Sequence, residues 1–321
     1  MKRAESAAVA VLVAVALAAP LFLEGFRLFQ LSSALVYAIS LLGLNLLIGF
    51  SGQISLGHGA FMALGAYASA LLMLKLGFPY WTAIPLAALI CLLVGLLIGL
   101  PALRFEGHYL ALCTFALAVA APQLLKAKVL EPFTGGVGGF VLKKPSVPAG
   151  LPISQDAWLY GLSLLLFLAS SLFVRNLVSG RIGRALVALR DHPSAAMCMG
   201  VDIARFKTIV FGLAAFFAGL AGAMGAVLIQ FVSPDSYSIM LSISLLVGVV
   251  VGGLGSPAGA IYGALFIQFV PNLAESFSKS APWAIYAVFV IAVAIALPTG
   301  MAGLVKMLFA TRAVRPGGSM D

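Results

Sequence analysis

Eight long stretches of this chain, each of 18 residues or more, contain no Asp, Glu, Lys or Arg: residues 6–23, 28–74, 76–103, 107–125, 157–174, 208–234, 236–274 and 280–305. A helix needs about 20 apolar residues to cross the hydrocarbon of a bilayer. Backbone placed there must satisfy its own hydrogen bonds, so runs of this kind fold as helices. The stretches 28–74 and 236–274 are long enough for two helices each, which brings the expected number of spans to ten. Composition agrees: 62% of the residues are hydrophobic and 9% charged, with mean hydropathy +1.13. Soluble domains carry about a quarter charged residues. The reading is an all-α polytopic membrane protein, with residues 1–321 forming a single transmembrane domain.

The two long stretches fold back at glycine-rich punctuation, residues 49–59 in the first and 252–257 in the second, since Gly and Pro break helices. Backbone freed at such breaks must be buried in protein or face water. The first run, 6–23, follows Lys2 and Arg3 and has Ala18, Ala19 and Pro20 near its end, a pattern shared with cleaved signal segments. A ten-span chain keeps it as an anchor. With the amino terminus inside, Lys2, Arg3, Arg104, six basic residues of one charged loop, Lys306, Arg312 and Arg315 lie on the cytoplasmic side, 12 of the 19 basic residues. Both termini are then cytoplasmic. Lys126, Lys128, Lys143 and Lys144 fall outside, in a periplasmic loop at 126–157. A net charge of +9 follows from juxtamembrane Lys and Arg beside membrane lipids and requires no nucleic acid.

The expected spans contain no charged side chain, and His58 and His108 sit at span edges. Proton-coupled carriers rely on intramembrane carboxylates or histidines, and voltage sensors on arginine rows, so neither mechanism finds its parts here. Phosphate-loop, H-E-x-x-H and C-x-x-C motifs are lacking, leaving no metal, cofactor or catalytic residue to assign. Cys91 and Cys113 read as buried inert thiols, and Cys198 as a reduced cytosolic one. Uphill transport by such a chain draws its free energy from a partner.

The natural handle for that partner is the loop 175–207, which holds eight of the 29 charged residues, six of them basic. Pro193 suits a first helical position and Gly200 a helix end, so a short helix of about two turns is expected between them. Ala195 and Ala196 give it a narrow waist able to enter a groove on a cytosolic protein. A solvated amphipathic loop that only fixes topology would have the same charge pattern. For a translocation pathway, the polar residues stranded in apolar or Gly-broken helix are Asn45, Gln53, Ser55, His58, Thr114 and Gln230. Each also fits a hydrogen bond between helices. The pairs Gly219 with Ala223 and Gly222 with Ala226 place small residues four apart, a close-packing pattern. A pathway of neutral polar and apolar groups suits a solute without net charge.

Four segments in series carry a resemblance: residues 43–67, 134–139, 251–260, and the loop motif G-R-x-L-x-A-x-R-D from Gly183 to Asp191 with A-A at 195–196 and Gly200. Together they resemble the LivM-type permeases of branched-chain amino acid ABC importers. The resemblance implies a type II importer permease fold in a bacterial inner membrane. It also implies a heterodimer with a LivH-like permease, two ATP-binding subunits of the LivG and LivF kind, and a periplasmic substrate-binding protein. ATPase coupling falls to Arg184, Arg190, Asp191, Ala195, Ala196 and Gly200, and this chain itself hydrolyses nothing. Pro193 departs from the Glu of the family's E-x-A-A pattern. Urea, short amides, aromatic acids and sugars remain alternative solutes. An ATP-independent secondary carrier, a passive channel and a scaffold are the competing classes; genes for two ATPases and a second permease beside this one would distinguish the importer.

Overall fold

The computed structural model describes residues 16–20, 22–23, 25–102, 108–145, 147, 154–277, 282–297, 300–304 and 307. Most of the first apolar run, along with Lys2, Arg3, Arg104, Lys306, Arg312 and Arg315, lies outside the described residues. The chain opens with α1 (Phe26–Asn45), which passes into a π-helical turn (Leu46–Phe50). A non-helical segment, 51–57, follows, and then α2 (His58–Leu74), α3 (Tyr80–Ala102) and α4 (His108–Leu125). A short turn α5 (Glu131–Thr134) leads to β1 (Phe140–Val141), then α6 (Gln155–Ser179), α7 (Arg181–Asp191) and α8 (Pro193–Cys198). The rest is α9 (Ile203–Ile229), β2 (Phe231–Val232), a 3-10 turn (Pro234–Tyr237), α10 (Ile239–Gly252), α11 (Gly259–Phe277) and α12 (Pro282–Ala296).

Among the described residues, five helices are long and apolar enough to cross a membrane: Phe26–Phe50, Tyr80–Pro101, Gln155–Ser179, Ile203–Ile229 and Pro234–Gly252. His58–Leu74, Tyr109–Leu125 and Ala284–Val293 are apolar but shorter. The ten spans expected from the sequence are therefore not all long helices. In the first double stretch the reason is local: residues 51–57 are not helical, so α2 starts only at His58.

The core is built around α9, which packs most extensively against α3, α2 and α1. From Thr208 onward it carries no charged side chain and is mostly buried, as expected of a helix surrounded by others. Asp202 caps its amino end by accepting from the Arg205 N–H at 3.1 Å, satisfying a donor that helix geometry leaves unpaired. Close approach depends on glycine. A Cβ on Gly65 of α2 would meet the Gly219 carbonyl and lie 2.5 Å from its Cα, and one on Gly222 would run into the Met62 backbone. Gly219 also receives the Cys91 side chain of α3. These contacts bring backbones near enough for dispersion to hold the bundle where lipid offers no hydrophobic drive.

The two ends of the bundle differ. At one end lie the charged helices α7 and α8. At the other, β1 pairs antiparallel with β2, Phe140 opposite Val232, and Lys126 bonds Asp235 at 2.5 Å. Lys144 bonds Asp156 at 3.2 Å at this same end, tying both edges of the 126–157 loop to the helices.

Replacing Gly65 by Ala forces backbone apart at the α2–α9 crossing, an overpacking cost of roughly 1–3 kcal/mol. Gly161 of α6 has nothing within 4 Å of an added Cβ. Gly65→Ala is expected to lower the unfolding temperature in detergent, whereas Gly161→Ala leaves it unchanged or higher. Equal behaviour of the two would refute the close-packing account.

Candidate coupling and translocation site

Helix α7 is amphipathic because Gly183, Leu186 and Leu189 are buried while Arg181, Arg184 and Arg190 lie on its exposed side. Its charges suggest a loop, yet the stretch is helical, and the spacing of 183, 186 and 189 is the signal that marks it as such. Helix α8 follows with Pro193 in its first turn, and Gly200, at φ 81°, closes it in the left-handed region that favours glycine. Ala195 is exposed, but Ala196 is buried against its own chain, so the expected waist has only one free face. Met197 and Met199 are exposed beside Ala195 and add soft, adaptable apolar surface.

Arg190 turns inward rather than toward solvent alone. Its Nη1 donates to the Gly49 carbonyl at 2.6 Å, and its Nε to Asp191 Oδ1 at 2.8 Å. That second bond holds the Asp191 carboxyl below the usual carboxylate range, so it stays ionised at neutral pH. Gly52, at φ 71°, lets the arginine stem pass, because a Cβ there would stand 2.8 Å from Arg190 Cγ.

Gly49 belongs to the π-helical turn that ends the first span, and Asn45 lies one turn before it. The buried Asn45 amide donates to Ser256 O at 2.7 Å and Gly253 O at 3.4 Å, while its Oδ1 accepts from the Gly255 N–H at 2.9 Å. Three bonds thus join two helix breaks more than 200 positions apart. Glycine at 49 is required, since a Cβ would collide with Asn45 Oδ1 and the Gly255 nitrogen. Asn45 accordingly braces the fold and its amide is fully engaged.

The other expected pathway residues have similar duties. Gln53 Nε2 donates to Ser51 Oγ at 2.9 Å and reaches Lys207 O at 3.5 Å. Ser55 Oγ accepts from the Gly57 N–H at 3.3 Å, and Thr114 Oγ1 of α4 accepts from Leu56 N–H at 3.0 Å. His58 is buried at the start of α2, its Nε2 without a hydrogen-bond partner among the described residues. Gln230 lies apart, at the β1–β2 end, where it ends α9 in the left-handed region at φ 63° and its carbonyl accepts from Leu142 N–H at 2.8 Å. The structure thus brings Arg190, Asn45 and Gln53 to one junction, leaves Arg184 and Ala195 on the surface of α7 and α8, and sets Gln230 at the far end. Ser242 of α10, absent from the sequence-based set, accepts from Gly59 N–H at 3.0 Å.

Among the described residues no three His, Cys, Asp or Glu side chains come together as metal ligands. Cys91 is buried as expected, but Cys113 is exposed, because α4 packs on one side only and Cys113 falls on the other.

Residues 26–298 match the family described as branched-chain amino acid transport system permease component. Among curated relatives, the high-affinity branched-chain amino acid transport system permease protein LivM of Salmonella typhimurium is 32% identical over 84% of this chain and 68% of its own length. The LivM protein of Escherichia coli K12 is 34% identical over 76% of this chain and 63% of its own length, so the match leaves about a third of each LivM protein unspanned. The LivH permease protein of Salmonella typhimurium is 23% identical over 83% of this chain and 91% of its own length. No solved structure matches the chain. A bundle of apolar helices, broken twice at glycine and bearing one charged helical hairpin, is thus a multi-pass membrane protein that belongs to the branched-chain amino acid transport permease family.

Proposed function

We propose that the chain is one permease subunit of an ATP-driven importer of branched-chain amino acids in a bacterial inner membrane. It pairs with a LivH-like permease, docks two ATPases of the LivG and LivF kind, and receives solute from a periplasmic binding protein. The fold in this reading is that of a type II importer, with ten spans, both termini and the 175–207 loop in the cytoplasm, and the 126–157 loop outside. The observation that carries it is the bond from Arg190 to the Gly49 carbonyl, which fastens the charged hairpin to the broken helices. A motion imposed on α7 and α8 from below reaches Gly49, then Asn45, then the 253–256 break, without passing through solvent.

Two roles separate within the hairpin. The exposed Ala195, with Met197 and Met199 beside it, meets the ATPase, whereas Arg190 and Asp191 transmit the motion into the bundle. Arg184, on the open side of α7, belongs with the docking face, and Gly200 sets where α8 ends.

In the assembled importer, Ala195→Trp is expected to abolish uptake and strip the ATPases from a tagged permease during purification. Ala196→Trp should instead lower the yield of folded protein, because that side chain packs inward. Normal uptake by the Ala195 variant would remove α8 from the docking surface.

Arg190→Ala removes a charge-assisted bond of about 1.5–3 kcal/mol, equivalent to a factor of roughly 10–100 in the coupled step. The expected phenotype is ATPases that copurify and hydrolyse ATP while leucine uptake falls by about that factor. Loss of the ATPases from this variant would make Arg190 a docking residue instead. Reconstituted alone in liposomes without nucleotide, the chain should not concentrate leucine; accumulation there would overturn the ATP-driven reading.

A further inference from the structure

A cavity of about 220 Å³ lies at the β1–β2 end, where α1, the start of α6 and the last turn of α9 meet. Phe29 and Leu159 give it apolar walls, and Ser32, Lys144, Asp156 and Gln230 bring polar groups to it. Sites for drug-sized ligands measure roughly 300–1,000 Å³, so this one suits a smaller molecule. The charges at its rim balance. Lys144 bonds Asp156 at 3.2 Å with side chains 41% and 43% exposed, and a pair that open to water contributes little to stability. Asp156 also stands in the first turn of α6, where the helix dipole favours a carboxylate whether or not the lysine stays beside it. The pair therefore opens at small cost.

Gln230 supplies a second observation. Among the described residues it is the one non-glycine with positive φ, at 63°. Glycine would adopt that conformation without strain, yet the position carries a long amide side chain. Its backbone N–H and carbonyl are engaged by Ala226 and Leu142, whereas its half-buried amide has no hydrogen-bond partner among the described residues. Backbone strain of this kind gathers at ligand clamps, where the side chain repays it. Across the cavity, Ser32 Oγ donates to Leu28 O at 2.8 Å, which leaves its lone pairs free to accept.

We propose that this cavity is a receiving site for a zwitterionic α-amino acid with an aliphatic side chain. Lys144 turns from Asp156 to the carboxylate of the solute, and Gln230 donates its amide to the same group. Asp156 and Ser32 Oγ accept from the ammonium group, and the side chain lies on Phe29 and Leu159. One weak ion pair within the protein is thereby exchanged for two with the solute. A site of one cation and one anion has no net charge to offer a simple ion, so it selects a molecule carrying both. The inference rests on the import function proposed above, in which this end faces the incoming solute, and it names where this chain first holds it.

The test uses the assembled permeases and ATPases in phosphatidylcholine nanodiscs, without the binding protein, so that bound leucine reports on the membrane part alone. Radiolabelled leucine is expected to bind. Unlabelled leucine should compete for it about tenfold or more better than isocaproate, which lacks the ammonium group, or isoamylamine, which lacks the carboxylate. Asp156→Asn should erase the advantage of leucine over isocaproate and keep that over isoamylamine; Lys144→Met should do the reverse. Gln230→Gly, which relieves the left-handed strain, should keep or raise the melting temperature and still weaken leucine about tenfold. Absence of leucine binding, or unchanged affinity in all three variants, overturns the site. An equal loss for leucine and both analogues also overturns it, by making the ion pair a structural tie only. Displacement of leucine when phosphatidylethanolamine replaces phosphatidylcholine gives the cavity to a lipid headgroup with the same charges, and overturns it too. Each of these results in an importer that takes up leucine defeats the site and leaves the import function intact; an importer that moves no branched-chain amino acid defeats that function, and the occupant named here with it.

Discussion

One buried amide holds this bundle's two weak points together. Helix breaks at membrane depth free backbone groups that lipid cannot satisfy, so each break needs a partner inside the protein. Here the breaks at 46–57 and 253–258 are made to serve each other, with Asn45 accepting from Gly255 N–H and donating to Ser256 O. Asparagine suits the task because one planar group supplies both an acceptor and donors. Aspartate could not donate, and the Ser256 and Gly253 carbonyls would lose their partner. The glycines around it follow from the same constraint, since Gly49 must admit the amide oxygen and the Gly255 backbone at contact distance.

The remainder of the packing isolates that junction. Helix α9 brings Gly219 and Gly222 against α2 and Cys91 of α3, so the central helices meet through backbone with little side chain between them. Surfaces of that kind slide poorly, because van der Waals contact at such distances is lost within a fraction of an ångström. The segments outside that close packing are the non-helical 51–57, the 253–258 turn, and the α7–α8 hairpin, which Arg190 bonds to Gly49. A stiff bundle with two tied hinges favours discrete arrangements over gradual deformation.

Much of this was legible in the residues. Charge-free runs located the helices, Gly-rich punctuation located both breaks, and Pro193 with Gly200 bounded α8. What the sequence does not display is direction. Asn45, Gln53 and Ser55 are polar in an apolar setting, which marks them as important but leaves open whether they face a pore or another helix; all three face inward. Arg190 looked like a surface charge on a cytosolic loop, and only the fold brings it to a carbonyl 141 positions away. The alternation from Ser51 to Gly57 is visible in the letters, but its meaning depends on which side is buried. Ala196 is buried within its own chain for the same reason, since small size fits tight packing within a chain as well as between chains.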